Sequence, residues 1–158
     1  MPTPRKQFRS PWDFLLIAMT TGLFALFGAI NYYAYSTVGM ILFISIFLIA
    51  AAFGVYGYSI QNGELRILRL GWSKDIKLSD ISSVEFKPNA MMGSLRTFGI
   101  GGLFGYVGFF KNRILNNYKA YATHRKKTVV ILTKKHDQIV VTPDNPEEFV
   151  EALRGELK

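Results

Sequence analysis

The chain has no cysteine, only two histidines and only two tryptophans in 158 residues. Without cysteine there is no disulfide, no thiolate metal site, no cysteine nucleophile and no attachment through a lipidated cysteine. His124 and His136 stand among lysines and arginines, with no His/Asp/Glu cluster at metal-ligand spacing. No serine sits in a nucleophile elbow, and the adjacent carboxylates Glu147 and Glu148 are accounted for by the start of a helix. An enzyme is not expected, nor is any metal or cofactor.

A larger absence decides the organisation. Residues 14–63 contain no Asp, Glu, Lys or Arg. Within them lie two apolar stretches, FLLIAMTTGLFALFGAI at 14–30 and VGMILFISIFLIAAAFGV at 38–55, separated by a tyrosine-rich break. With its flanks each approaches the roughly 20 residues that cross a ~30 Å hydrocarbon core at ~1.5 Å per residue. Buried helices of a small soluble domain normally carry a polar face, and neither stretch has one. A cleaved signal peptide fits poorly too, because the first run exceeds an h-region and no A-x-A site follows it. A membrane hairpin is expected, with spans at about 12–34 and 37–57.

Charge gives its orientation. Arg5, Lys6 and Arg9 precede the first span, the connector is uncharged, and Arg66, Arg69, Lys74 and Lys77 follow the second. Both termini are expected on the cytoplasmic side of a bacterial plasma membrane, making a multi-pass protein. Trp12, Tyr56 and Tyr58 then fall at one interface, and Tyr32, Tyr33 and Tyr35 at the other.

Residues 58–158 form the expected cytoplasmic domain. It carries sixteen of the nineteen basic residues and ten of the eleven acidic ones, a balance of +6 out of +8. Such a domain faces the anionic inner leaflet, where each surface-held Lys or Arg contributes about 1 kcal/mol; the same charge also serves solubility and topology. Its periodicity is that of strands. Tyr58 to Gln61, Asn62-Gly63 and Glu64 to Leu70 read as a hairpin with a type I′ turn. Ile76 to Leu78, Ser82 to Lys87, Thr128 to Leu132 and Gln138 to Thr142 add strands, the last two flanking Lys134-Lys135-His136-Asp137. Asn145 as N-cap, Pro146 at the first helical position and Glu148 open a C-terminal helix at about 146–155, with Phe149, Val150, Leu153 and Leu157 as its apolar stripe.

The hairpin, the strand-rich domain and the terminal helix together resemble the bacterial membrane-anchored PH-like domain proteins. The resemblance rests on Tyr58-Ser59-Ile60 through Leu70, on Leu78-Ser79-Asp80-Ile81 through Val84, on Arg96-Thr97-Phe98-Gly99 and Gly102 to Gly108, on Tyr121-Ala122-Thr123, and on the end from Pro143 to Leu153. It implies a PH-like split barrel of about seven antiparallel strands capped by a C-terminal α-helix, and it brings no catalytic residues. The first hairpin loop, Gln61-Asn62-Gly63-Glu64, lacks the Lys and Arg of phosphoinositide-binding PH domains. Any attraction to anionic lipid is therefore expected to be diffuse and salt-screened.

Segment 97–110, TFGIGGLFGYVGFF, is a poor phosphate cradle: Phe104 stands where a third glycine belongs, and no P-loop Lys follows. It is also too short for a third span. Two readings stand: a strand with a Gly-rich bend whose aromatics fill the core, or a surface that meets the membrane interface, the helical hairpin or a partner through Leu103, Phe104, Tyr106, Phe109 and Phe110, with Lys111 and Arg113 behind. Met91 and Met92 lie just upstream. Arg125, Lys126 and Lys127 make a candidate basic surface; no stacking platform or recognition helix accompanies them, so nucleic acid is not an expected partner.

The sequence thus reads as a non-enzymatic adaptor or binding module held at the membrane, with the lipid bilayer and a membrane or cytoplasmic protein as partners. The alternative is an accessory subunit working through its hairpin, on which Ala25 with Ala29 and Ala50 with Gly54 are small-xxx-small pairs.

Overall fold

The computed structural model describes residues 6–157. Arg5 of the basic N-terminal tail lies outside them. The described chain opens with strand β1 (Lys6–Arg9), then helices α1 (Phe14–Ala34) and α2 (Thr37–Phe53). Strands β2 (Gly57–Gln61), β3 (Glu64–Leu68), β4 (Ser73–Lys77), β5 (Ile81–Phe86), β6 (Leu95–Gly101), β7 (Tyr106–Asn112), β8 (Asn116–Ala122), β9 (Val129–Thr133) and β10 (Gln138–Val141) follow, and helix α3 (Pro146–Glu156) ends the order.

Each helix of the pair starts on a side-chain cap. The Asp13 carboxylate accepts the Leu16 N–H at 2.7 Å, and the Ser36 hydroxyl accepts the Gly39 N–H at 3.1 Å. Tyr35, in the left-handed region at φ 46°, ends α1 and donates its N–H to Asn31 O, so the two helices turn back within two residues. At 21 residues α1 is long and apolar enough to cross a membrane, whereas α2 has 17. Phe24, Phe27, Phe43 and Phe47 pack the pair together. Most of the remaining apolar side chains of both helices are exposed.

The helical pair interrupts a β-ribbon. β1 pairs antiparallel with β2, Phe8 opposite Tyr58, so residues 10–56 occupy the place of a hairpin loop. The sequence reading has no strand here, because Lys6-Gln7-Phe8-Arg9 offers one apolar residue and its charges read as a topology signal. Gly57 permits the pairing: a Cβ there would stand 2.7 Å from Phe8 O.

The strands form a four-stranded sheet, β1-β2-β3-β4, and a six-stranded one, β5-β9-β10-β8-β7-β6. Between them lies the main core, with Tyr58, Leu65, Ile67, Ile131, Val141 and, from α3, Phe149 and Leu153 fully buried. The capping helix begins as expected: Asn145 Oδ1 accepts the Glu148 N–H at 3.4 Å, and Asn145 Nδ2 donates to the Glu148 carboxylate at 2.9 Å. Phe8 meets Phe149 edge to face at 5.1 Å.

A mainly-β domain closed by a C-terminal helix is thus what the sequence led us to expect, with two differences. There are ten strands among the described residues rather than about seven. The additional ones are β1, the division of the glycine-rich segment into two strands, and β8, whose inward positions Ala120 and Ala122 give a weak apolar signal. Nor is every pair antiparallel, since β10 inserts between β9 and β8 and runs parallel to β8, Val140 opposite Ala120.

Period-two alternation gives the six-stranded sheet a second core on its other face. Tyr106, Phe110, Tyr118, Ala120, Ala122 and Val140 lie there with Met91, and Leu16 of α1 seals them, fully buried.

Candidate functional site

The site to consider is where the helical pair meets the domain. Segment 97–110 forms the β6–β7 hairpin, and its bend at 102–105 docks on both helices. Phe104, at φ 57°, places its ring 5.8 Å from Trp12 and 6.1 Å from Phe47 of α2. Thr20, the buried polar residue of α1, serves the bend's backbone. Its hydroxyl accepts the Phe104 N–H at 3.3 Å and donates to Gly102 O at 3.4 Å. Gly102 N–H donates to Gly105 O at 3.1 Å, closing the turn. Glycine is favoured at 102 by φ 103°; a Cβ there would also press on the movable end of Met19, 2.7 Å from its Cε. Gly54, just beyond the end of α2, also packs on the bend, where a Cβ would stand 3.1 Å from Phe104 O.

Beside this dock, Asp13 ties the start of α1 to two strands' ends. Its backbone N–H donates to Thr123 O, and its carboxylate accepts the Arg125 N–H at 3.1 Å and the Tyr106 hydroxyl at 3.3 Å. The Arg125 guanidinium lies 3.7 Å from the same carboxylate and 5.8 Å from the Tyr106 ring. Burial, reinforced by the Asp13 charge against the opposing pull of Arg125, pushes the Tyr106 phenol up to about 12.

A polar chain runs inward from there. Ser10 Oγ lies 2.7 Å from Thr123 Oγ1 and 3.2 Å from the Tyr58 hydroxyl, which donates to Tyr121 O and accepts the Thr142 N–H. Tyr58 is fully buried, and burial raises its pKa against the opposing hydrogen bonds with Ser10 and Thr142. Both sheets and the segment leading into α1 are thereby fixed to each other.

The residues singled out in sequence separate into three groups. Tyr106 and Phe110 are buried in the second core, with Phe110 stacked on Tyr118. Leu103 and Phe104 are half-buried against the helices. Phe109, Lys111 and Arg113 are exposed. Phe109 is opposite Phe98, and the two are 48% and 74% exposed, forming with Leu95 an apolar surface at the sheet's β6 edge. Met91 is buried and Met92 exposed.

Arg125, Lys126 and Lys127 are exposed on the β8–β9 loop beside the start of α1. The loop is shaped by His124, whose Nδ1 accepts the N–H of Lys126 at 3.1 Å and of Lys127 at 3.3 Å. Burial lowers the His124 pKa; Asp13 opposes that shift, while Lys127 and Lys126 add to it. A cleft of about 410 Å³ opens there, lined by Asp13, Phe14, Leu15, Met92, His124 and Lys126 among others. Its lining mixes apolar Phe14, Leu15 and Met92 with charged Asp13, Arg125 and Lys126. Among the described residues no three His, Cys, Asp or Glu side chains are grouped to hold a metal.

Sequence reasoning passed over Thr20 and Phe47, and assigned Trp12 to the membrane interface without its contact to Phe104. A threonine in an apolar span is a readable signal, because its hydroxyl needs a partner somewhere, but the partner itself lies 82 residues away.

No curated protein and no solved structure matches the chain. Residues 56–157, well over half of the chain, match the family described as Bacterial PH domain, and the chain belongs to that family.

Proposed function

We propose that the protein is a non-catalytic PH-like binding module held against the cytoplasmic face of a bacterial membrane by α1 and α2 as a two-span hairpin, with both termini cytoplasmic. The observation that carries this reading is the insertion of the helical pair between β1 and β2, combined with the dock of the β6–β7 bend on Thr20, Trp12 and Phe47. A contiguous apolar surface as large as that of the two helices is not left in water by a soluble monomer. At 17 residues α2 extends about 26 Å, enough to span a locally thinned bilayer. Non-helical backbone close to lipid needs its polar groups satisfied within the protein, and Thr20 does that for the bend.

On this reading the exposed surface of Phe98, Phe109, Lys111 and Arg113 is the partner-binding face, and Arg125, Lys126 and Lys127 lie against anionic headgroups. The test is in-cell photo-crosslinking from a probe at Phe109, repeated in a chimera that keeps the docking residues of both helices and replaces residues 21–46 by an unrelated hairpin. A discrete protein adduct that persists in the chimera is expected; the absence of any protein adduct would remove the binding role.

A second reading, an accessory subunit acting through its helices, is favoured by one observation. Ala50 and Gly54 are buried, with Gly54 against the bend, whereas Ala25 and Ala29 remain exposed on α1 and free to pack on another span. An adduct lost in the chimera would favour it.

A further inference from the structure

The two turns at opposite ends of β3 differ in chemistry. At one end Asn62 and Gly63, at φ 54° and 74°, make the polar turn expected of a water-exposed hairpin. At the other end Arg69-Leu70-Gly71-Trp72 connects β3 to β4, closed by the Arg69 N–H donating to Trp72 O at 3.0 Å, with Gly71 at φ 89°. Leu70 and Trp72 are 60% and 44% exposed at this tip, where solvent normally selects Asn, Asp or Gly.

The apolar turn lies against the foot of α2. Trp72 meets Phe53, the last residue of α2, edge to face at 5.2 Å, and Tyr56 donates its N–H to Leu68 O at 2.9 Å. Arg69 lies between two rings, its guanidinium carbon 6.0 Å from the Phe53 centroid and 5.1 Å from that of Tyr121. Its Nε is buried and has no hydrogen-bond acceptor. The ion pairs among the described residues involve Arg66, Lys119 and Arg125, so none of the described carboxylates neutralises Arg69. A cation held by two aromatic rings and a hydrogen bond to the Tyr121 side chain, with no carboxylate partner among the described residues and flanked by exposed Leu and Trp at the end of an apolar helix, has the composition of an interfacial lipid contact.

We propose that the β3–β4 turn is a second membrane contact, in which Leu70 and Trp72 enter the acyl boundary beside Phe53 and the Arg69 guanidinium binds the phosphate of an inner-leaflet phospholipid. This rests on the reading of α1 and α2 as a membrane hairpin. It holds the domain at two separated points, the 102–105 bend and the 69–72 turn, and so fixes its tilt on the bilayer.

The test uses the full chain reconstituted in phosphatidylglycerol/phosphatidylethanolamine vesicles. Trp12→Phe leaves Trp72 as the sole tryptophan, and lipids brominated near the top of the acyl chain report its depth. Strong quenching by the brominated lipid with little quenching by aqueous iodide is expected. The reverse pattern overturns the proposal. A control carrying Trp12→Phe, Trp72→Phe and Phe27→Trp moves the single probe into α1. Lipid quenching in this control but not at Trp72 removes the second contact alone, whereas no lipid quenching in the control removes the hairpin reading and this proposal with it. For Arg69, phosphorus-to-nitrogen dipolar dephasing in arginine-labelled vesicle samples should lose a component in Arg69→Gln; an unchanged dephasing curve overturns the phosphate contact.

Discussion

Replacing Thr20 by Val removes a hydroxyl and leaves the volume of the side chain nearly unchanged. Two backbone groups of the β6–β7 bend then lose their partner, the Phe104 N–H at 3.3 Å and the Gly102 carbonyl at 3.4 Å. Each buried group left unpaired costs about 1–3 kcal/mol, and because both bonds are at the long end of the normal range the sum belongs near 1–3 kcal/mol. Since about 1.4 kcal/mol is tenfold in an equilibrium, the open fraction of the bend should rise roughly 5- to 150-fold. The cost is local, since Phe104 keeps its ring contacts to Trp12 and Phe47. Amide hydrogen exchange of the full chain in lipid nanodiscs reads this directly. Phe104 and Gly102, whose N–H closes the turn on Gly105 O, should lose protection in Thr20→Val, Val107 should change little, and Thr20→Ser, which keeps the hydroxyl, should stay close to wild type. Equal protection in all three proteins would refute the assignment of Thr20 as the residue that satisfies the bend.

Further expectations follow from the same geometry. Gly99→Ala should destabilise more than Gly102→Ala in thermal unfolding of micelle-bound protein. A Cβ at 99 collides with the backbone oxygen of Val107, whereas at 102 it meets the movable end of Met19 and the positive φ adds about 1–3 kcal/mol at either site. Gly28→Ala, with nothing within 4 Å, should be neutral or better. Asp13→Asn keeps a helix cap and should cost under about 1 kcal/mol because Arg125 is largely exposed, while Asp13→Ala adds about 1 kcal/mol for the lost cap. In Asp13→Asn the Tyr106 phenol should titrate below the value of about 12 that burial and the Asp13 charge give it, read by absorbance of the tyrosinate. His124 binds its proton less readily when folded than its ordinary 6.5, so the unfolded chain takes up more protons below that pH. Stability should therefore fall as pH drops below about 6.5, and the Lys126 and Lys127 amides should lose protection there. His124→Asn should flatten that dependence.

How much of this was legible in the sequence varies by element. The Asn62-Gly63 turn, the Asn145-Pro146 helix start and the β9–β10 hairpin are local signals, in which a φ requirement or a cap is met by adjacent residues, and they form where expected. The two apolar helices follow from an absence of charge that no loop chemistry offsets. By contrast β1 could not be seen, because its pairing with β2 is made across residues 10–56 and its four residues carry a single buried side chain. The parallel partnership of β8 and β10 is also invisible to periodicity, which fixes faces but not neighbours. Segment 97–110 was recognisable as unusual from its glycines and aromatics. Which ring goes where depends on the positive φ values at Gly99, Gly102, Phe104 and Gly108, and these break the alternation that would have assigned sides. Gly71 marks a turn in this stretch, expected around Gly71 to Asp75 and formed at 69–72, but its apolar setting is not local, because Phe53 and Tyr121 create it from other elements.

Placement of the domain and of the turn between the helices relative to the membrane bears most directly on the account as a whole. The chain has no cysteine, so single cysteines introduced at Ser36 and at Lys135 can be labelled with an impermeant maleimide in spheroplasts without background. Both variants should be recovered in the membrane fraction, Ser36→Cys reacting in intact spheroplasts and Lys135→Cys only after lysis. Labelling of Lys135→Cys before lysis, or recovery of both proteins in the soluble fraction, would contradict a PH-like domain held at the cytoplasmic face by a two-span hairpin.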